Sequence, residues 1–213
     1  MQMDSPQIIA FGGYPSTEAL DAVFELAGGR RVLYDHTASP GFVGEELDAD
    51  VTHLSFYPWP PPDLRALALE HDVIMVAGGS TANLLAVWRV HGFDRVLREA
   101  WESGVVLTGW SAGMICWFEA GVTDSFGPEL AGLRDGLGFL PGSACPHYDG
   151  EALRRPVYQR LVREGFPPGL ALDDAAGAHY IGTELQAVVV SSVDAAGYRV
   201  TADGETRIDG RRL

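Results

Sequence analysis

The sequence contains no lysine, only two cysteines and no long apolar run. All 15 basic side chains are arginines, and 29 acidic residues give a formal net charge of −14 at pH 7. A chain with this charge repels the phosphate backbone of nucleic acids and anionic lipid surfaces. No window of about twenty apolar residues is present, and the first residues lack the basic and apolar segments of a secretion signal. We therefore expect a soluble, cytoplasmic protein with no nucleic-acid or membrane partner.

The two cysteines, Cys116 and Cys145, are too few for a disulfide framework or a cysteine-rich metal site. Hydrophobic residues make up 46% and charged residues 21% of the chain, which is typical of a globular protein. A chain of 213 residues is long enough to bury a substantial core. We expect one domain over residues 1–213.

Apolar runs alternate with amphipathic segments through the first half of the chain. The predicted strands there are Gln7–Phe11, Arg31–Asp35, Val51–Tyr57 and Asp72–Ala77, and the predicted helices include Glu18–Ala27 and Phe93–Trp101. Strands that alternate with helices indicate βαβ units and a largely parallel sheet. The chain beyond Ala120 is less regular, and its last third predicts antiparallel strands. The expected fold is α/β with three layers, in which a mostly parallel sheet carries helices on both faces.

The most informative motif is Gly109-x-Ser111-x-Gly113. It follows the apolar run 105–108, which is predicted to be a buried strand, and precedes Met114–Phe118, which is predicted to begin a buried helix. A strand, a sharp turn and a helix are the context of a nucleophile elbow. The glycines permit the tight turn, and the serine hydroxyl then lies at the carboxyl end of the strand.

A serine nucleophile needs a base and an acid that orients the base. His147 follows a predicted strand and is the favoured base, with His179 as a reserve candidate. Asp124 lies between the elbow and His147 and is the favoured acid, with Glu119 as the alternative. Further options for the acid are Asp149, Asp173 and Asp174.

The oxyanion formed in such a reaction needs backbone N–H donors. One is expected from Ala112, directly after the serine. The glycine turn Gly78–Gly79 also ends a strand and begins a helix, so it can supply the second. This turn lacks the lysine of a phosphate-binding loop.

The segments Met75–Leu85 and Gly109–Gly113 together resemble the peptidase E family. These S51 serine peptidases include α-aspartyl dipeptidases and, more distantly, cyanophycinases. The similarity covers most of the chain, from the first strand to about Ser192. It implies a fold like that of class I glutamine amidotransferases, with Ser111 as nucleophile, His147 as base, and Gly79 and Ala112 as oxyanion donors.

The resemblance also implies that an arginine on the helix after the histidine binds the substrate's aspartate, which Arg154 or Arg155 would match. We therefore predict a serine hydrolase, without metal or cofactor, that cleaves short peptides and in particular N-terminal Asp-X bonds. A homodimer is an open alternative to a monomer. Two rival functions are an esterase of the α/β-hydrolase type, because the elbow motif is shared, and a non-catalytic, amidotransferase-like domain that binds a small ligand.

Overall fold

The structure is a computed structural model that describes residues 5–41 and 47–212. The helices are α1 (Thr17–Ala27), α2 (Leu64–Leu69), α3 (Thr81–His91), α4 (Phe93–Glu102), α5 (Ala112–Ile115) and α6 (Arg154–Arg163). The strands are β1 (Gln7–Phe11), β2 (Arg31–Asp35), β3 (Asp50–Leu54), β4 (Val73–Val76), β5 (Val106–Trp110), β6 (Phe118–Thr123), β7 (Ala131–Leu133), β8 (Leu140–Cys145), β9 (Gly169–Leu172), β10 (Ala176–Ile181), β11 (Glu184–Val190), β12 (Ala196–Thr201), β13 (Gly204–Asp209) and β14 (Arg211–Arg212). Within the described residues, no helix is both long enough and apolar enough to cross a lipid bilayer.

The larger of two sheets has the strand order β14-β11-β10-β1-β5-β4-β2-β3. Strands β1, β5, β4, β2 and β3 run parallel to one another, and β10 lies antiparallel to β1. Helix α1 packs on one face of the parallel strands, and α2, α3 and α4 pack on the other. The predicted α/β fold, with a mostly parallel sheet and helices on both faces, is confirmed.

Strand β4 shows why its sequence is a continuous apolar run. Val73 and Met75 pack towards α1, whereas Ile74 and Val76 pack towards α3 and α4. All four side chains are buried because both faces of the sheet are covered. Helix α1 begins at Thr17, one residue before the predicted Glu18, because Ser16 caps it by accepting a hydrogen bond from the Ala19 N–H group at 3.3 Å.

The second sheet, with the order β13-β12-β9-β8-β6-β7, is the main departure from the sequence prediction. The run Met114–Phe118 does not form a helix throughout, because α5 ends at Ile115 and β6 begins at Phe118. Phe118 pairs with Leu140 of β8, so a long-range strand pairing replaces the second helical turn. A short apolar run cannot distinguish these outcomes by periodicity.

The elbow after β5 depends on a close approach to the end of β4. A Cβ atom on Gly113 would lie 2.2 Å from the Val76 carbonyl oxygen. The oxygen belongs to the backbone of buried Val76, and Gly113 is itself buried, so neither residue can move away easily. Only glycine therefore allows α5 to start this close to β4.

We expect Gly113→Ala to lower the free energy of unfolding by about 3 kcal/mol, as overpacking of a rigid core does. Urea denaturation measures this change. Gly165→Ala is the control, because nothing lies near its Cβ position and only its φ of 93° opposes the substitution, at a cost of about 1 kcal/mol. Equal losses for the two variants would contradict the close packing at the elbow.

Candidate active site

The candidate nucleophile lies at the carboxyl edge of the larger sheet. The Ser111 N–H group donates to the Phe11 carbonyl group at the end of β1, at 3.3 Å. The Ser111 Cβ atom lies 3.2 Å from the position that a Cβ on Gly78 would occupy, so it also borders the end of β4. The side chain is partly exposed. It is therefore accessible at the edge where parallel strands gather functional groups.

Two non-glycine residues of the described chain have a positive φ: Ser111 at 55° and His147 at 54°. Such conformations are uncommon for residues with a Cβ and cost of order 1–3 kcal/mol. The surrounding structure must therefore hold both residues in place. The sequence had selected the same two residues, on independent grounds, as candidate nucleophile and base.

His147 is placed by the pairing of β8 with β9. These strands are parallel neighbours, and Cys145 lies opposite Ala171. The residues that follow the two strands therefore meet, and the His147 Nδ1 atom lies 2.5 Å from the Asp174 Oδ1 atom. This contact fixes the orientation of the ring and leaves the Nε2 atom available to accept a proton.

The backbone of Asp174 is itself held by two hydrogen bonds, and a third bond joins the neighbouring loops. Its N–H group donates to the Asp149 Oδ1 atom at 2.8 Å. Its carbonyl oxygen accepts from the Gly13 N–H group at 3.1 Å, just beyond β1. The Tyr148 N–H group, next to His147, donates to the Leu172 carbonyl group at 3.0 Å, which holds the two loops together.

The structure does not place the favoured acid, Asp124, or its alternative, Glu119, beside His147. Asp124 is an exposed residue directly after β6. The Glu119 Oε2 atom accepts a hydrogen bond from the Gly142 N–H group at 2.8 Å, on the second sheet. The partner of His147 is Asp174, and the signal for it in the sequence was a pair of aspartates directly after the short apolar strand 169–172.

The reserve base lies elsewhere. His179 is a buried residue of β10, and its Nε2 atom lies 2.8 Å from the Gln7 Oε1 atom. Burial, with a smaller contribution from Arg211, lowers the pKa of His179. Among the residues that the structure describes, no side-chain hydrogen bond joins His179 to Ser111 or to one of the predicted acids.

Ser111 and His147 are both held near the end of β1. Within the described residues, no hydrogen bond joins their two side chains. Ser111 is bonded to Phe11, and the partner of His147 is bonded to Gly13. Hydrogen bonds between catalytic groups are often long without substrate and shorten when it binds.

The predicted oxyanion donors are Ala112, directly after Ser111, and Gly79, next to Gly78, whose Cβ position would lie 3.2 Å from the Ser111 Cβ atom. Ala112 is the first residue of α5, and Gly79, with a φ of 134°, precedes α3. Among the backbone hydrogen bonds of the described residues, the N–H groups of Gly79 and Ala112 have no carbonyl partner. They are thus free to donate to a substrate oxygen.

The two predicted substrate arginines are engaged within the protein. Arg154 is 3% exposed, and its guanidinium donates to the Glu151 Oε2 atom and to the Val122 carbonyl group, both at 2.7 Å. Arg155 forms an ion pair with Glu205. Neither guanidinium is unpaired.

A cavity of about 670 Å³ opens beside the His147–Asp174 pair. Its lining includes Tyr14, Ser16, Glu18 and Arg30. Arg30 forms ion pairs with Asp21 and Asp48 in the same wall. Among the residues that the structure describes, no group of three or more His, Cys, Asp or Glu side chains is arranged to hold a metal ion.

Comparisons with known proteins identify the family of the chain. Residues 36–188 match the sequence profile of peptidase family S51. The chain is 52% identical over 157 residues to the uncharacterized peptidase YgaJ of Bacillus subtilis strain 168, a match that spans 73% of this chain and 67% of that protein.

Two solved structures share the fold. A candidate peptidase E protein from Listeria monocytogenes EGD-e has a TM-score of 0.65 and 18% identity, over 88% of this chain and 100% of that chain. A peptidase from an acI-B1 actinobacterium has a TM-score of 0.69 and 15% identity, over 97% of this chain and 95% of that one.

An α/β sheet that presents a serine on a strand-turn-helix elbow defines the class of serine hydrolases. The chain belongs to peptidase family S51. It is a hydrolase, and its family makes it a serine-type peptidase. The resemblance to peptidase E that the sequence motifs indicated is confirmed.

We expect Asp174→Asn to lower kcat for peptide hydrolysis by about 10²- to 10⁴-fold, because the amide no longer stabilises the imidazolium or fixes its tautomer. Steady-state kinetics measures the change. Asp124→Asn is the matched control, and we expect its kcat to stay within about twofold of the wild type. The reverse result, a large loss only in Asp124→Asn, would restore Asp124 as the acid.

Proposed function

We propose that this chain hydrolyses short peptides, including dipeptides, with Ser111 as nucleophile, His147 as general base and Asp174 as orienting acid. The observation that carries the proposal is the 2.5 Å contact between the His147 Nδ1 and Asp174 Oδ1 atoms. Asp174 is hydrogen-bonded to Gly13, just beyond the end of β1, and the strained elbow residue Ser111 is hydrogen-bonded to Phe11 at the end of the same strand. A histidine bonded through Nδ1 to a carboxylate is the base that a serine nucleophile requires.

The reaction follows from this geometry in two halves. The Ser111 Oγ atom attacks the peptide carbonyl carbon while the His147 Nε2 atom takes its proton, and the Gly79 and Ala112 N–H groups hold the resulting oxyanion. The C–N bond breaks as His147 returns the proton to the leaving amine. A water molecule then attacks the acyl-enzyme with His147 again as base, which releases the acid and restores Ser111.

The adjacent cavity supports a small substrate. A volume of about 670 Å³ lies within the range of pockets that bind small molecules, about 300–1,000 Å³. This size suits a dipeptide or tripeptide held beside His147.

Cleavage after an N-terminal aspartate is the finer part of the proposal, and it rests on the family resemblance. An arginine that recognises an aspartate side chain does so by bidentate pairing. Arg154 is buried against Glu151, whereas 44% of the Arg155 side chain is exposed, so Arg155 is the more accessible of the two. A substrate carboxylate at Arg155 has to share it with Glu205.

We expect Ser111→Ala to reduce hydrolysis by at least about 10³-fold across dipeptides and tripeptides that differ in their first residue, Asp-X included. Chromatographic measurement of the released amino acids gives the rates. Full activity in folded Ser111→Ala would overturn the proposal. Wild-type activity on p-nitrophenyl esters without any on peptides would instead favour an esterase.

We expect Arg154→Ala to lower the free energy of unfolding by about 2 kcal/mol, because it removes hydrogen bonds from a buried guanidinium, and to leave KM for Asp-X peptides unchanged. Arg160→Ala on the same helix is the control. Its ion pair with Glu164 is exposed, so its loss should cost less than about 0.5 kcal/mol. A raised KM for Asp-X peptides alone, at unchanged stability, would identify Arg154 as a substrate ligand.

A further inference from the structure

The C-terminal hairpin of β12 and β13 lies beyond residues 36–188, the part of the chain that matches the family profile. It nevertheless contacts the segments that carry both His147 and Asp174. One set of contacts reaches Tyr148, directly after the histidine. The other reaches Asp173, directly before the acid.

The first set of contacts converges on Glu205 of β13. Its Oε2 atom accepts hydrogen bonds from the Tyr148 hydroxyl and the Gln159 amide group, both at 2.7 Å. Its Oε1 atom accepts from the Arg155 Nε atom at 3.0 Å. Burial alone raises the pKa of Glu205, but the hydrogen bonds from Arg155, Tyr148 and Gln159 outweigh it and lower that pKa, so the side chain is a carboxylate at neutral pH.

Tyr148 depends on this partner. Its side chain is 2% exposed, and a buried hydroxyl without an acceptor costs about 1–3 kcal/mol. The ring packs against Tyr198 of β12 at a centroid distance of 5.1 Å, and the Arg155 guanidinium lies 5.1 Å from the ring centroid of Tyr148. The hydroxyl group and the ring of Tyr148 are therefore both held by the hairpin or by groups bound to it.

The second set of contacts holds Asp173, which is 3% exposed. Its Oδ2 atom accepts from the Ala196 N–H group at 2.8 Å and from the Tyr198 hydroxyl at 3.4 Å. Its own N–H group donates to the Ala196 carbonyl group at 3.1 Å. The hairpin thus holds the residue before the acid through its backbone and its side chain.

We propose that Tyr148 and Glu205 are positioning residues that keep His147 in its productive orientation, and that the hairpin clamps the His147–Asp174 pair. This inference rests on the proposed function of His147 as base. The φ of 54° at His147 is a strained conformation that persists only if its neighbours fix it. Tyr148 supplies that restraint through its N–H bond to Leu172 and its hydroxyl bond to Glu205.

Tyr148→Phe tests the clamp because it removes one hydroxyl group and keeps the packed ring. A small displacement of a catalytic group lowers the rate more than it lowers binding, so we expect kcat to fall about tenfold with KM within about twofold. Glu205→Ala should give a similar loss, and Glu205→Gln, which keeps an acceptor oxygen for Tyr148, should recover most of the kcat. The rate at which a fluorophosphonate labels Ser111 should fall in parallel with kcat.

Asp209→Asn is the matched control. Asp209 also lies on β13, but its side chain is 88% exposed and pairs with Arg207. Asp209→Asn removes one negative charge from β13, as Glu205→Gln does, but it leaves the hydrogen bond of Tyr148 in place. We therefore expect wild-type kcat. All variants are assayed well below their thermal midpoints, so that loss of folded protein does not mimic a loss of kcat.

Wild-type kcat in Tyr148→Phe, or a raised KM at constant kcat, would overturn the clamp. An equal fall in kcat in Tyr148→Phe and in the control Asp209→Asn would also overturn it, because the loss would then not depend on Tyr148. Ser111→Ala in the same assay separates the two proposals. If Ser111→Ala is inactive and Tyr148→Phe is normal, only the clamp fails, whereas an active Ser111→Ala removes the proposed function itself.

Discussion

The end of strand β1 is hydrogen-bonded to both halves of the candidate site. The Phe11 carbonyl group accepts from the Ser111 N–H group, and the Gly13 N–H group donates to the Asp174 carbonyl group. Between them, a Cβ on Gly12 would lie 2.3 Å from the Asp173 carbonyl oxygen. The loop that carries the acid can therefore approach β1 only because this position is glycine. Since β1 is a central, buried strand of the larger sheet, the site inherits the rigidity of the core.

The sequence was most informative for features that depend on residues close to one another along the chain. The alternation of strands and helices and the elbow at Ser111 both follow from local patterns. The second sheet and the partner of His147 could not be predicted in this way. The pairing of β8 with β9 brings His147 to Asp174, which lies 27 residues further along the chain. Asp124 is closer to His147 in sequence, but it follows β6 and is not held beside the base.

Arg154 and Arg155 show that substrate specificity is also difficult to predict from the sequence. In a chain with a formal net charge of −14, an arginine near the base is an attractive partner for an anionic substrate. Whether it is available depends on residues far away in sequence, and Glu205 pairs with Arg155 across 50 positions. The guanidinium of Arg154 is likewise satisfied by Glu151 and by a backbone carbonyl group of β6. Residue type alone therefore does not assign a binding role.

The two sheets contribute different parts of the candidate site. Ser111 follows β5 of the larger sheet, His147 follows β8 of the smaller one, and Asp174 lies where the chain passes from β9 to β10, from one sheet to the other. The three groups can meet only after both sheets have formed and docked. A chain in which either sheet is unformed therefore lacks at least one of the three groups of the candidate site. The assembled contact between the two sheets, rather than the local elbow sequence, thus sets whether the proposed serine has a histidine near it.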